Sequence, residues 1–118
     1  MITERGEIWM VNFQPSKGAE IDKIRPAIVM NDNTMGRLPL KFVVPLTDWK
    51  PHYSSYLWMV KIVADDDTNG LTKDSAADTF QAKSCSEARL IKRLGMLGAL
   101  EYEDIAAALA LLIGFECP

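Results

Sequence analysis

Hydrophobic and polar positions alternate near the start of the chain. Across residues 7–13, Trp9, Val11 and Phe13 fall on one face, with Glu7 and Asn12 among the polar positions. A period of two predicts a half-buried strand. Residues 27–30 form a short unbroken apolar run that Asn31 and Asp32 close, as in a strand buried more completely. Residues 41–47 read as a third strand, in which Pro45 argues for an edge position or a bulge, because proline gives no donor to a ladder. Residues 56–63 predict a fourth strand, and residues 76–83 a weaker one.

The period then changes. Ser84 and Glu87 have the spacing of a capping box, which predicts a short helix over 88–93 with Lys92 and Arg93 in its last turn and Gly95 as its stop. Residues 101–113 predict a second helix, with acids in its first turn and Ile105, Ala108, Leu109 and Leu112 on one stripe. Gly114 stands just past its end. Strands first and helices last point to one α+β domain over residues 1–118, mostly antiparallel. The expected architecture is a small curved sheet, partly closed as a barrel, with the last helix packed against it.

Between the first two strands runs a polar loop, residues 14–24, too long for a tight hairpin. Loops of that length in compact domains are often functional. This one ends at Arg25, which Pro26 biases toward extended backbone. A guanidinium held at a strand's mouth beneath a loop is a candidate anion site.

Composition narrows the field. With 118 residues, 48% of them hydrophobic, the chain is long enough for one real core and too short for two. No apolar run approaches a membrane span, and the first residues lack the layout of a secretory signal. The two cysteines, Cys85 and Cys117, are far apart without ligand spacing, so neither a metal site nor a disulfide framework is expected. A reducing cytoplasm suits the chain. His52, the single histidine, is read as solvated in a polar loop. The net charge of −3 counts against a nucleic-acid binder, yet base gathers at Lys17, Lys23 and Arg25, and again at Lys83, Arg89, Lys92 and Arg93.

Spacing leaves the chemistry open. Arg25 is either a surface ion-pair partner or a forked donor to a phosphate. Thr47 either bonds local backbone or sets its hydroxyl beside Arg25, if the second and third strands pair. Gln81 either reads a base edge or is an exposed strand residue. Tyr56, Trp58 and Met59 serve a core or form a hydrophobic groove for a partner.

Taken in order, three blocks resemble the opening of the MazF/PemK toxin family: Arg5-Gly6-Glu7-Ile8-Trp9, Pro15 to Gly18-Ala19-Glu20, and Arg25-Pro26-Ala27-Ile28-Val29 with Asn31-Asp32. The resemblance continues through Val43-Val44-Pro45-Leu46-Thr47, Leu71-Thr72-Lys73-Asp74-Ser75, Gln81, Arg89-Leu90 and Lys92-Arg93-Leu94-Gly95 to the closing helix. It implies an SH3-like barrel, a homodimer, and metal-independent cleavage of single-stranded RNA at short sequences without a cofactor. It also implies control by a small acidic antitoxin. By resemblance, Arg25 and Thr47 are tied to catalysis, the loop over 14–24 lies on the RNA, and Gln81 contacts substrate. Relatives often carry an acid where this chain has Phe80, a ring able to stack on a base. The expected substrate contacts are therefore Lys17, Glu20, Lys23, Phe80, Gln81 and Lys83. Glu20 is also the nearest candidate general base. The competing class is a non-catalytic protein on the same fold, either resembling gyrase poisons or sequestering an antitoxin.

Overall fold

The computed structural model describes residues 1–32, 34 and 38–115. Among these described residues there are seven strands: β1 (Glu7–Asn12), β2 (Ile24–Val29), β3 (Leu40–Asp48), β4 (Met59–Ile62), β5 (Ser75–Asp78), β6 (Lys83–Ser86) and β7 (Leu90–Met96). One helix, α1 (Ala99–Leu112), follows them. The strands form one sheet in the order β4-β5-β3-β2-β1-β7, with β6 also paired to β3. The pairings are antiparallel. The α+β class, the antiparallel sheet and the C-terminal helix match expectation. The sheet is open, however: no ladder among the described residues joins β4 to β7.

β3 organises the sheet. Along one flank it pairs β2; along the other, Leu40 to Val43 pair β6 while Leu46 to Asp48 pair β5. Pro45 stands where β3 exchanges one neighbour for the other. The strand is central, so the expected edge position is wrong. Proline is tolerated there because neither β5 nor β6 meets it on that flank.

Alternation sorts the strands into two faces. Ile8, Ile28, Val44, Leu46 and Ile62 pack with Ile105 of α1 in one core. Val11, Phe13, Ala27, Val29, Val43 and Leu90 form a second core on the other face, with Trp9 and Ile21 against it. The predicted grouping of Trp9, Val11 and Phe13 is thus the pattern of that second face. α1 begins as Glu101 accepts a hydrogen bond from the Gly98 N–H at 3.3 Å. It is fastened to the sheet where the Tyr102 hydroxyl donates to the Met30 carbonyl at 2.6 Å. Its buried stripe is shorter than predicted, since Leu112 is 38% exposed. No helix among the described residues is long and apolar enough to cross a membrane.

The helix expected over 88–93 is absent. Ser84 lies in β6, residues 87–89 make a single 3₁₀ turn, and β7 begins at Leu90. The Ser86 hydroxyl, not Ser84, caps that turn by accepting from the Ala88 N–H. Tertiary pairing outweighed the local signal, because β1 takes β7 as its second neighbour. Two register shifts along that pairing hide its period of two. Arg93 is held in β7 by the buried Glu7 carboxylate, 3.2 Å away. The strand expected over 76–83 is likewise broken, by a 3₁₀ turn at Thr79–Gln81. The predicted fourth strand shrinks to Met59–Ile62, and the loop before it contains a 3₁₀ helix at Pro51–Ser55.

Candidate active site

Register brings the first two candidates together. Ala27 of β2 faces Pro45 of β3, so two residues further along each strand Arg25 lies opposite Thr47. The Arg25 Nη1 donates to the Thr47 Oγ1 at 3.4 Å, and its Nε reaches the Asp22 carbonyl at 3.3 Å. Among the described residues, no carboxylate lies within ion-pair distance of Arg25. The guanidinium is half-buried and keeps donors free for an incoming oxyanion. The other clustered arginines are engaged. Arg93 pairs Glu7, while Arg89 donates to the carbonyls of Asn12 and Gln14 and fastens the start of the loop.

Beside this pair, where Pro45 continues the same face of β3, opens a cavity of about 540 Å³. Phe13, Glu20, Ile21, Trp58, Asp78 and Phe80 are among its walls, with Gln81 and Lys83 at its margin. Such a volume lies in the range of small-ligand pockets. Four of the expected contacts, Glu20, Phe80, Gln81 and Lys83, therefore gather around one space. Lys17 and Lys23 do not line it; both are exposed on the loop. Lys23 adopts a positive φ of 75°, and its N–H is held by the Asp22 carboxylate at 2.8 Å. Glu20 turns back on its own loop, accepting from the Lys17 N–H at 3.1 Å.

Gln81 stands on the 3₁₀ turn instead of a strand, contrary to expectation. Its Oε1 accepts from the Ile21 N–H, and its Nε2 donates to Asp78 Oδ2 at 3.2 Å and to the Ala19 carbonyl at 3.5 Å. The amide thus ties the loop to the cavity. Asp78 is the residue that sequence reasoning missed. Its other oxygen accepts from the Phe80 N–H at 3.1 Å, so one carboxylate fixes both the turn and the glutamine. Burial pushes its carboxyl above the ordinary aspartate value, against the opposing hydrogen bonds from Gln81 and Phe80. An acid three residues before Gln81 was the available signal, but it was masked by the expectation of a continuous strand. Among the described residues, no group of three or more His, Cys, Asp and Glu is arranged to hold a metal. His52 is exposed on the 3₁₀ helix, and Cys117 lies outside the described residues.

Comparison with known proteins decides the family. Residues 4–113 match the model of the PemK-like, MazF-like toxin of type II toxin-antitoxin systems. The chain belongs to that family. Endoribonuclease MazF9 of Mycobacterium tuberculosis is 28% identical over 113 residues, covering 91% of this chain and 92% of that protein. MazF (Form-I) from Deinococcus radiodurans shares the fold with a TM-score of 0.78 at 21% identity, covering 98% of this chain and 99% of its own. A mycobacterial endoribonuclease in complex with its cognate antitoxin superposes with a TM-score of 0.74 at 17% identity, covering 98% of this chain and 99% of its own. The toxin family thus spans almost the whole chain, including both Arg25 and Thr47.

Proposed function

We propose that this toxin is a sequence-specific endoribonuclease that cleaves single-stranded RNA without a metal ion. The supporting observation is the Arg25–Thr47 pair, 3.4 Å apart with no competing carboxylate among the described residues. The substrate's own 2′-OH gives up its proton and attacks the adjacent phosphorus, and the bond to the 5′ oxygen breaks as that oxygen takes a proton from water, leaving a 2′,3′-cyclic phosphate and a 5′-OH end. A pentacoordinate phosphorane carries extra negative charge. Arg25 meets that charge with its free guanidinium donors, the kind of preorganised electrostatic contact that usually contributes most to catalysis. Thr47, already within reach of the same guanidinium, donates its hydroxyl to a second non-bridging oxygen. Arginine does not serve as the base, because it stays protonated in proteins. Glu20, a carboxylate in the cavity wall, is assigned that task. Phe80, Gln81 and Lys83 hold the flanking nucleotides in the cavity, and Lys17 and Lys23 draw the backbone toward it.

The active form is a homodimer, and its activity is held in check by an acidic antitoxin, in line with the antitoxin complex of the mycobacterial neighbour. Incubation of the purified protein with long single-stranded RNA in EDTA, followed by sequencing of the junctions, tests this reading. Discrete cuts bearing 5′-OH ends are expected. Intact RNA, in EDTA and in magnesium alike, would leave the chain a non-catalytic member of its family.

A further inference from the structure

A run of aromatic rings leads away from the cavity, and beyond Phe80 the mechanism above does not use it. Phe80, in the cavity wall, stands edge-on to Trp58 with centroids 5.7 Å apart. Trp58 stacks on Tyr56 at 4.8 Å with the planes only 6° from parallel. Tyr56 meets His52 at 5.8 Å, His52 meets Tyr53 at 4.6 Å, and Tyr53 meets Trp49 at 5.9 Å. Over the Trp49 ring sits the Lys61 ammonium, 5.4 Å from its centroid. Two of the three tryptophans and two of the three tyrosines are placed here, whereas Phe13 is the aromatic of the two buried cores. None of the rings in the run is fully buried, and Phe80 is 67% exposed.

Residues 49–64 contain no acid and carry Lys50, Lys61 and the single histidine, although Asp48 and Asp65 border the stretch in sequence and Asp74 accepts from the N–H groups of Trp49 and Ala64 at its ends. A basic surface interleaved with flat rings is the composition that binds single strands: cations follow the backbone, and each base stacks on a ring whatever its identity. A protein partner matches the charge equally well, but the run continues the wall of the nuclease cavity, which Trp58 and Phe80 both line, and its one stacked pair, Trp58 on Tyr56, begins at that wall.

We propose that the rings from Trp58 to Trp49 form a stacking track for unpaired RNA bases that flank the cleaved site. This rests on the reading of the chain as a single-strand nuclease, and it assigns the track to nucleotides outside the recognised sequence. The track would hold a long unpaired RNA in the cavity while the sequence is read at Phe80 and Gln81.

The test needs no cleavage. Fluorescein-labelled 2′-O-methyl oligoadenylate has bases to stack and no 2′-OH to attack, and inorganic polyphosphate has the charge without the bases. Tyr56→Ala is expected to weaken oligoadenylate binding about tenfold and to leave polyphosphate binding unchanged. Tyr56→Phe, which keeps the ring, should match the wild type. In the wild type, oligoadenylate should also quench the tryptophan emission, and polyphosphate should not; this readout stands even if Tyr56→Ala fails to fold. Equal oligoadenylate affinity in wild type and Tyr56→Ala, or equal losses for both polymers, would overturn the track and leave the rings to a protein partner. Bound oligoadenylate without any quenching would overturn it too. Failure of the wild type to cut RNA while these binding results hold would remove the nuclease reading alone.

Discussion

The two faces of the sheet use the same strands and differ in how each is closed. Under α1, residues of β1 to β4 meet a helix, the core is apolar, and a single hydroxyl, that of Tyr102, crosses to the Met30 carbonyl. On the opposite face, the apolar positions run from Val43 to Pro45 and then give way to Thr47, just as those of β2 give way to Arg25. Among the described residues, no helix covers that end. A loop does, and it is tied down by polar contacts: Gln81 to Ile21 and Ala19, and Arg89 to the carbonyls of Asn12 and Gln14. Apolar closure stabilises a fold without asking for particular partners. Polar closure at a half-buried site leaves groups that can exchange a loop for a ligand. Stability then belongs to one face and, under the proposed function, chemistry to the other.

Substitutions can break that division. Arg25→Ala should have the largest effect, slowing RNA cleavage by roughly 100- to 1,000-fold with little change in the melting temperature; a matching loss of stability would show that the arginine is structural. Ile105→Ala should do the reverse, costing about 2–5 kcal/mol in urea unfolding, with the cleavage rate per folded molecule retained. Tyr102→Phe should cost about 1 kcal/mol, again without effect on cleavage. The smallest effect concerns Asp78. Its folded-state pKa is raised by burial, so the folded protein holds that proton more tightly than the unfolded chain. Its contribution to stability is therefore greatest below the ordinary value of 3.8 and declines as pH rises through the folded-state value. The stability of wild type relative to Asp78→Asn, read from urea midpoints on both sides of this window, should therefore decline as pH rises.

Where one residue in two pointed inward, the sequence was readable. Trp9, Val11 and Phe13 announced their face, and the apolar run from Ala27 announced β2. The closing helix was equally plain from Ile105 and Ala108. Legibility failed where long-range pairing overruled local signals. Lys92 and Arg93 resemble the last turn of a helix, but they lie in β7 because β1 needs a neighbour and Glu7 needs a cation. Pro45 looked like an edge because nothing local tells that β3 changes partners there. For the site, the proximity of Arg25 and Thr47 followed from strand pairing alone, which the sequence left open. The role of Asp78 did not follow, because it depends on a turn that brings its carboxylate to both the Phe80 N–H and the Gln81 amide.

If Arg25 and Thr47 act together on one phosphodiester, as proposed, a double-mutant cycle shows it most directly. Single-turnover cleavage of one RNA in EDTA would be compared for wild type, Arg25→Ala, Thr47→Ala and the double variant. Groups that stabilise the same phosphorane act as a unit, so the double variant should be scarcely slower than Arg25→Ala alone. Wild-type rates in both single variants would contradict the account.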